Sequence, residues 1–544
     1  MIDLNLLPTN IGLNRKQRLN KIQSQGCWDI IVIGGGITGA GIFKLASELG
    51  LKTLLVEQKD FAWGSSSRSS KMIHGGLRYV AQGQFKLTKQ SVQERQRLLK
   101  EAPYLVTEQS FALSHYQGKF PPPWLFNSLL FFYDHLSGKK QHHYWAKQAY
   151  QFIVPQSNGE NSLGGTQFYD AMVDDARMVL RLIQEGQQLG GLAINYSQVE
   201  HLLFDKQQRV CGIKLAITTE QKVEVKQIKS RWVINATGAW AKQLLISTKQ
   251  SKAINIRPLR GSHIIVPSWR LPVATAVSVI HPLDGRPVQI YPWHNVTVIG
   301  TTDVEHKASL LNEPSISKAE LEYLLSCVTQ EFPQANINKK DIISTYAGVR
   351  PVVADKYLGK VDPAKEKRDH SIWQQAGLIT VAGGKLTTFY LIAKQVLECC
   401  IDDFSFNKKS IDFPAFLPIT TQYDDLPIPI SDYQFLLGCY GQLAEVIKLK
   451  IKKKQSLGER ISSTNHLWGQ LWWAANYEQV EHLDDLLLRR TRLGNVLEQG
   501  GMALLDEIRI VCEQGLAWNE EYWQKEIIRY QQLWKSSYSI PKKE

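Results

Sequence analysis

Asp29-Ile30-Ile31-Val32-Ile33-Gly34-Gly35-Gly36-Ile37-Thr38-Gly39 is the stretch from which the fold is read. Four consecutive β-branched residues have the length and stiffness of a strand buried on both faces. They stop at three glycines, after which a helix is expected from about Ile37 to Leu49, closed by Gly50. Lys52-Thr53-Leu54-Leu55-Val56-Glu57 supplies a second short strand, so strand, helix and strand fit within about 30 residues. In this turn, which includes Gly35, Gly34 permits the tight bend and Gly36 lets the backbone approach a pyrophosphate. Gly39 lets helix and strand pack closely, the helix N-terminus favours phosphate charge, and Glu57 suits ribose hydroxyls. A plain glycine turn in an unrelated α/β sheet has no use for Glu57. The unit reads as a dinucleotide cradle.

NAD and FAD share this fingerprint, so the choice rests on distant segments. Gly64-Ser65-Ser66-Ser67-Arg68-Ser69-Ser70-Lys71 offers hydroxyls and two cations along which a long anionic cofactor can extend, with Ser66, Ser67, Ser70 and Lys71 as its contacts. A late apolar strand, Leu378-Ile379-Thr380-Val381, ends at Gly383-Gly384-Lys385 before an expected helix whose positive end can face a reduced isoalloxazine ring. Gly384, Lys385, Leu386 and Thr387 are therefore assigned to the cofactor. Asn235-Ala236-Thr237-Gly238 is a third glycine turn after a strand and adds Ala236, Thr237 and Gly238. These features select FAD.

The chain of 544 residues exceeds one ordinary domain. At roughly 150 residues each, about two to four units are expected. Residues 1–28 read as an N-terminal extension, 29–410 as the cofactor domain with a substrate part interleaved at roughly 80–165 and 255–345, and 411–544 as a C-terminal helical domain beyond a Pro-rich stretch. Helices are expected over Leu87 to Leu99 and Asp175 to Leu189, where Asp174 and Asp175 read as N-cap and first-turn acids. Val210 to Ile217 and Lys222 to Ile228 form a hairpin leading into Trp232-Val233-Ile234, and Ser317-x-x-Glu320 is a capping box.

The net charge of +13 favours an anionic partner: a phosphorylated metabolite, an acidic membrane surface or nucleic acid. Seven scattered cysteines with neither Cys-x-x-Cys nor metal-ligand spacing predict a reducing, cytoplasmic setting and no metal. The start of the chain lacks the features of a secretory signal, so export is not expected. No run approaches the ~20 apolar residues that span a bilayer. The nearest, Trp124 to Tyr133, is interrupted by Asn127.

Seven motifs follow one another in order: Ser69-Ser70-Lys71-Met72-Ile73-His74-Gly75-Gly76-Leu77-Arg78-Tyr79, Val173-Asp174-Asp175-Ala176-Arg177, Asn235-Ala236-Thr237-Gly238, Gly261-Ser262-His263, Gly300-Thr301-Thr302-Asp303, Gly348-Val349-Arg350-Pro351 and Gly383-Gly384-Lys385-Leu386-Thr387-Thr388. With them, the chain resembles the FAD-dependent, quinone-linked glycerol-3-phosphate dehydrogenases of the D-amino-acid-oxidase-like flavoprotein superfamily. The likeness runs from about Asp29 to Tyr390 and resumes at Leu488-Arg489-Arg490-Thr491-Arg492-Leu493-Gly494. Trp63 and Arg68 depart from the family pattern in the serine loop.

The resemblance implies an α/β architecture: a Rossmann-like FAD-binding domain interleaved with an antiparallel-sheet substrate domain, plus a C-terminal all-helical domain. It implies that His74, Arg78, Tyr79, His263, Arg350 and Lys385 converge on glycerol 3-phosphate beside the flavin, with Thr387 among the substrate contacts. Arginine and lysine suit a phosphate dianion, while histidine or lysine can accept a hydroxyl proton. His263 is favoured as the base or its orienting partner, with His74 and Lys385 as rivals, and Arg78 and Arg350 as anion binders.

The resemblance also implies a membrane quinone as electron acceptor and peripheral docking on the inner face of the cytoplasmic membrane. Phe120 to Tyr133, with Lys139 and Lys140 nearby, is a candidate surface for an anionic bilayer; a buried helix is the equal alternative. A homodimer is left open. So is an oxygen-using oxidase of the same fold, acting on glycerol 3-phosphate, an amine or another hydroxy acid. An RNA-acting flavoprotein is suggested only by net charge, and with no RNA-binding motif no nucleic-acid partner is expected.

Overall fold

The computed structural model describes residues 10–77, 80, 83–138, 140–218, 223–245, 254–353, 370–420 and 423–541. At its centre lies a sheet of five parallel strands, in the order Leu378–Gly383, Val223–Asn235, Trp28–Ile33, Thr53–Val56 and Leu192–Ile194, with His370–Gln375 antiparallel on the outer edge. Trp28–Ile33 is nearly all buried because it is flanked on both sides and covered on both faces, which is what its unbroken apolar run requires. Helices Ile37–Glu48, Asp175–Gln188 and Phe389–Glu398 pack in one apolar cluster on one face. The other face meets the antiparallel strands Ser197–Phe204 and Val210–Thr218. Val223–Asn235 joins both layers, pairing first with Val210–Thr218 and then entering the parallel sheet.

A second, mostly antiparallel sheet has Ile256–Pro267 paired with Ser344–Val353 on one side and with Val296–Gly300 and Val304–Glu305 on the other. It continues through Pro287–Trp293, Ala276–Ile280, Val106–Tyr116, Ser162–Val173 and Met72–Ile73. This is the Rossmann-like domain interleaved with an antiparallel-sheet domain. Beyond it, helices Ile430–Tyr440, Ala444–Lys453, Trp468–Tyr477, Leu505–Leu516 and Glu520–Ser537 form the C-terminal part. Its Leu486, Trp523 and Tyr530 share an apolar cluster with Phe111, Tyr291 and Tyr346 of the antiparallel sheet. The helical part is therefore packed against the sheet that carries the candidate site.

The capping box Ser317 to Glu320 starts helix Lys318–Glu331, as the sequence predicts. That helix ends on a buried carboxylate: Glu331 accepts hydrogen bonds from the Ser114 and Tyr116 hydroxyls. Burial pushes Glu331 up to about 7. A raised carboxyl pKa means the folded state holds the proton more tightly. The contribution is thus full below the ordinary carboxyl range and is lost as pH rises from there through about 7. Glu331→Gln is expected to stabilise the protein by up to about 3 kcal/mol at pH 8 and hardly at all at pH 4. Thermal unfolding at the two pH values checks this; an equal shift at both would reject it.

Candidate functional site

Three parallel strands end together. Ile33 is in register with Asn235, and Asn235 with Thr380, so the turns Gly34 to Gly36, Ala236 to Gly238 and Gly383 to Lys385 emerge at one edge of the sheet. That edge is where ligands bind in open α/β sheets. The turns are in contact: a Cβ on Gly34 would lie 2.7 Å from the Ala236 carbonyl oxygen. Gly39 has no alternative residue, since a Cβ there would stand 1.9 Å from the Gly34 carbonyl oxygen.

Helix Ile37–Glu48 starts at Gly36 with no side-chain cap, which leaves its first turn suited to an anion. The Ile37 amide donates to Ser66 Oγ at 3.0 Å, docking the serine loop onto the helix start. At the end of the second strand, Glu57 accepts from the Gly35 amide at 2.7 Å and the Lys59 amide at 2.9 Å. Burial raises its pKa against the pull of these amides.

The serine loop corrects one expectation. Lys71 and Arg68 are not open to an anionic cofactor. Lys71 Nζ lies 2.9 and 3.0 Å from the two Asp175 carboxylate oxygens and 2.9 Å from the Ser67 carbonyl oxygen, while Arg68 pairs with Glu313. A buried cation needs a carboxylate more than a passing phosphate, and both have one. Ser67 is buried beside them. Ser70 Oγ lies 2.9 Å from His263 Nε2.

His263 sits on Ile256–Pro267 opposite Tyr346, with Gly261 opposite Gly348 and Leu259 opposite Arg350. Alternation puts these pairs on one face of the sheet. The imidazole stacks on the Tyr346 ring at 4.4 Å, and the absent side chain of Gly300 makes room for it: a Cβ there would lie 2.0 Å from His263 Cδ2. Nδ1 has no hydrogen-bond partner among the described residues. Burial, then the charges of Lys71 and Arg350, holds the His263 pKa well below its ordinary value, so the ring is neutral at physiological pH. Arg350 reaches across Gly261, with Nη2 3.4 Å from Thr301 Oγ1 and Nη1 3.3 Å from Asp303 Oδ1, and is about a third exposed.

A second group forms where Thr387 Oγ1 donates to the His74 carbonyl oxygen at 3.5 Å, bringing the turn Leu386–Thr388 beside the end of Met72–Ile73. Lys385 is half-buried at the start of that turn, and His74 is half-buried too. Thus His263, Ser70, Lys71, Tyr346 and Arg350 gather on the sheet face, while His74, Lys385, Leu386 and Thr387 gather at the strand ends. Arg78 and Tyr79 lie outside the described residues.

The sequence reading gives no role to Ser69, Asp60 and the arginines of Leu488 to Gly494, and reads Asp175 only as a first-turn acid, which it is. Asp174 does cap helix Asp175–Gln188, accepting from the Arg177 amide at 3.0 Å. Yet Asp174 and Asp175 also bind Arg492, and Asp60 binds Arg489 and Arg490. Three arginines set in a leucine-rich run were the available signal, because cations in apolar surroundings are kept only with partners.

Helix Pro123–Ser137 resolves the reading of the aromatic segment into two faces. Phe126, Leu130 and Tyr133 are buried, whereas Trp124, Phe131 and Phe132, with Phe120 just before the helix, are 58–75% exposed. Lys140 is exposed; Lys139 lies outside the described residues. Among the described residues no helix is long and apolar enough to cross a membrane.

Comparison with known proteins gives a family. The family model FAD dependent oxidoreductase matches residues 29–398, and that of the C-terminal domain of alpha-glycerophosphate oxidase matches 415–522. An aerobic glycerol-3-phosphate dehydrogenase of Staphylococcus aureus is 32% identical over 390 residues, which is 71% of this chain and 69% of the relative. A glycerol-3-phosphate dehydrogenase from Bacillus halodurans, solved with FAD, has a TM-score of 0.72 at 22% identity, covering 96% of each chain. An L-alpha-glycerophosphate oxidase from Mycoplasma pneumoniae, with FAD bound, has a TM-score of 0.54 at 16% identity, covering 73% of this chain and all of that one. At these identities the two structures speak for the fold.

Proposed function

The chain belongs to the FAD dependent oxidoreductase family, as a flavoprotein of the glycerol-3-phosphate dehydrogenase/oxidase group, and we propose that it oxidises sn-glycerol 3-phosphate to dihydroxyacetone phosphate and delivers the electrons to a membrane quinone. The observation that carries the reading is the sharing of one sheet face by a permanently charged guanidinium, Arg350, and a buried neutral imidazole, His263. The relatives' names supply the substrate. The division into 1–28, 29–410 and 411–544 is proposed with it.

FAD is the cofactor, and the residues present fit it: the helix start, where Gly36 has no side chain to cap the first turn, the close approach this allows and the oriented Glu57 carboxylate suit the ADP half. Ser66, Ser67, Ser70 and the turns at Ala236 to Gly238 and Gly384 to Thr387 line the rest, and Lys71 holds the loop through Asp175. Bound FAD supplies a two-electron acceptor for the hydride that leaves C2. Arg350, with Arg78, Tyr79, Lys385 and Thr387, holds the phosphate dianion. His263 receives the C2 hydroxyl proton: the Ser70 hydroxyl at Nε2 fixes the orientation of its neutral ring, and the burial that keeps the ring neutral makes it a weaker base than a free imidazole. Anaerobic addition of sn-glycerol 3-phosphate should bleach the flavin, and a quinone analogue should reoxidise it faster than oxygen does. No bleaching rejects the substrate; faster reoxidation by oxygen makes the protein an oxidase.

The exposed aromatic face of Pro123–Ser137 is the proposed contact with an anionic bilayer, where quinone is found. Replacing Trp124, Phe131 and Phe132 by serine should lower partitioning onto anionic vesicles at least about tenfold while flavin reduction in solution stays unchanged. Unchanged sedimentation with vesicles would reject this surface.

A further inference from the structure

Arg492 is buried and belongs to the C-terminal part, yet its acidic partners among the described residues, Asp174 and Asp175, lie in the cofactor domain. Its guanidinium donates to Asp174, with Nε 3.0 Å from Oδ2 and Nη2 2.7 Å from Oδ1, to Asp175 Oδ1, and by Nη1 to the Ser67 carbonyl oxygen at 3.3 Å. Asp175 in turn organises the serine loop. Its Oδ2 accepts from the Ser69 amide at 2.9 Å and the Ser69 hydroxyl at 2.7 Å, and both its oxygens meet Lys71 Nζ. Ser70, between those two residues, holds His263 Nε2, and the Tyr346 hydroxyl that donates to the Ser69 carbonyl oxygen belongs to the ring stacked on His263.

This loop needs to be held. Lys71 has φ +60°, a left-handed conformation that costs a side-chain-bearing residue about 1–2 kcal/mol and persists only where the surroundings over-determine it. The two carboxylates face two cations, Arg492 and Lys71, with His294 Nε2 3.4 Å from Asp174; without Arg492 they lose their largest share of compensating charge beside the loop. We propose that Arg492 is a positioning residue: through Asp175 and the Ser67 carbonyl it fixes the serine loop, and through Ser70 the His263 imidazole, so that the C-terminal part completes the reaction site without touching substrate. The inference rests on the reading of His263 given above.

The test uses the full-length FAD-loaded protein as Arg492→Gln, Arg492→Lys, Ser69→Ala and Arg529→Gln. The last removes ion pairs with Asp484 and Glu526 that do not reach the loop. Hydrogen exchange is followed over residues 64–77, and anaerobic flavin reduction is followed at saturating sn-glycerol 3-phosphate. Arg492→Gln and Ser69→Ala should speed exchange at the Ser69 amide about tenfold or more and slow reduction by about tenfold, with KM within about threefold. Arg492→Lys should restore part of both, and Arg529→Gln should match the native protein. Native exchange in Arg492→Gln overturns the inference, and so does an equal slowing by Arg529→Gln, which would mark general loosening. If Arg492→Gln does not fold, Ser69→Ala, which strands no buried charge, decides by the same criteria. Failure of the native flavin to bleach would reject the substrate, while the exchange result would still decide whether Arg492 holds the loop.

Discussion

Arg350→Ala is expected to leave FAD bound while kcat/KM for sn-glycerol 3-phosphate falls about 10²- to 10³-fold. The side chain leans on Thr301 and Asp303 from across Gly261, so the sheet supports the guanidinium without enclosing it. The ion pair with Asp303 leaves the guanidinium about a third exposed, and a charge-assisted, two-pronged contact from it to a phosphate dianion is worth roughly 3–4 kcal/mol when it is lost whole. Arg350→Lys should recover only a fraction, because an ammonium cannot reproduce the fork. The same substitution removes one of the two cations that hold the His263 pKa down, but burial is the larger cause. The imidazole therefore stays neutral, and the loss belongs to substrate binding, not to the base. Anaerobic stopped-flow reduction alongside the flavin-to-protein ratio separates the outcomes: parallel loss of FAD would move Arg350 from the substrate to the cofactor.

What the sequence discloses depends on how far its signals reach along the chain. The cradle from Asp29 to Glu57 is legible because each of its signals is local: a β-branched run, three spaced glycines and an acid at the next strand end. The Ser317 to Glu320 cap and the hairpin at Val210 are legible for the same reason. Alternation says that Gly261 and His263 share a face, but not that Ser344–Val353 will lie beside them with Tyr346 and Arg350; strand pairing is a long-range fact. The two cations of the serine loop were read as open to a cofactor because their carboxylates, Glu313 and Asp175, stand 245 and 104 residues away. The helix Pro123–Ser137 is apolar on both faces, so periodicity could not choose between burial and exposure, and the fold uses one face for each. The arginines after Leu488 announced that partners existed without saying which.

Asp60→Ala is expected to cost about 3–5 kcal/mol of stability, the penalty for leaving buried charge without its partner. Asp60 is fully buried three residues after Glu57 and accepts from Arg489 Nε at 2.5 Å, Arg490 Nη1 and Nη2 at 2.6 and 2.8 Å, and Asn195 Nδ2 at 3.0 Å. Arg490 is tied further to the Glu478 carbonyl oxygen, and Arg489 to Asp484 and Asp485. One carboxylate thus joins the end of the dinucleotide cradle to the C-terminal helices. Burial alone would push its pKa up, but the Arg490 and Arg489 guanidiniums more than reverse that and hold it below the usual aspartate range. A depressed folded pKa contributes stability above the ordinary aspartate value and loses it as pH falls through the folded one, so Asp60→Ala should differ most from the native protein at neutral pH and least in strong acid. Asp60→Asn keeps the shape and one acceptor oxygen, and should fall between. Because Asp60 follows Glu57 so closely, loss of the joint should loosen the cradle along with the helices. Heating the variant should release FAD fluorescence in the same transition that melts the helical signal, several degrees below the native protein. FAD release in a separate step from helix melting, or stability within about 1 kcal/mol of the native protein, would show that the two parts are held by their apolar contact and that Asp60 is incidental to it.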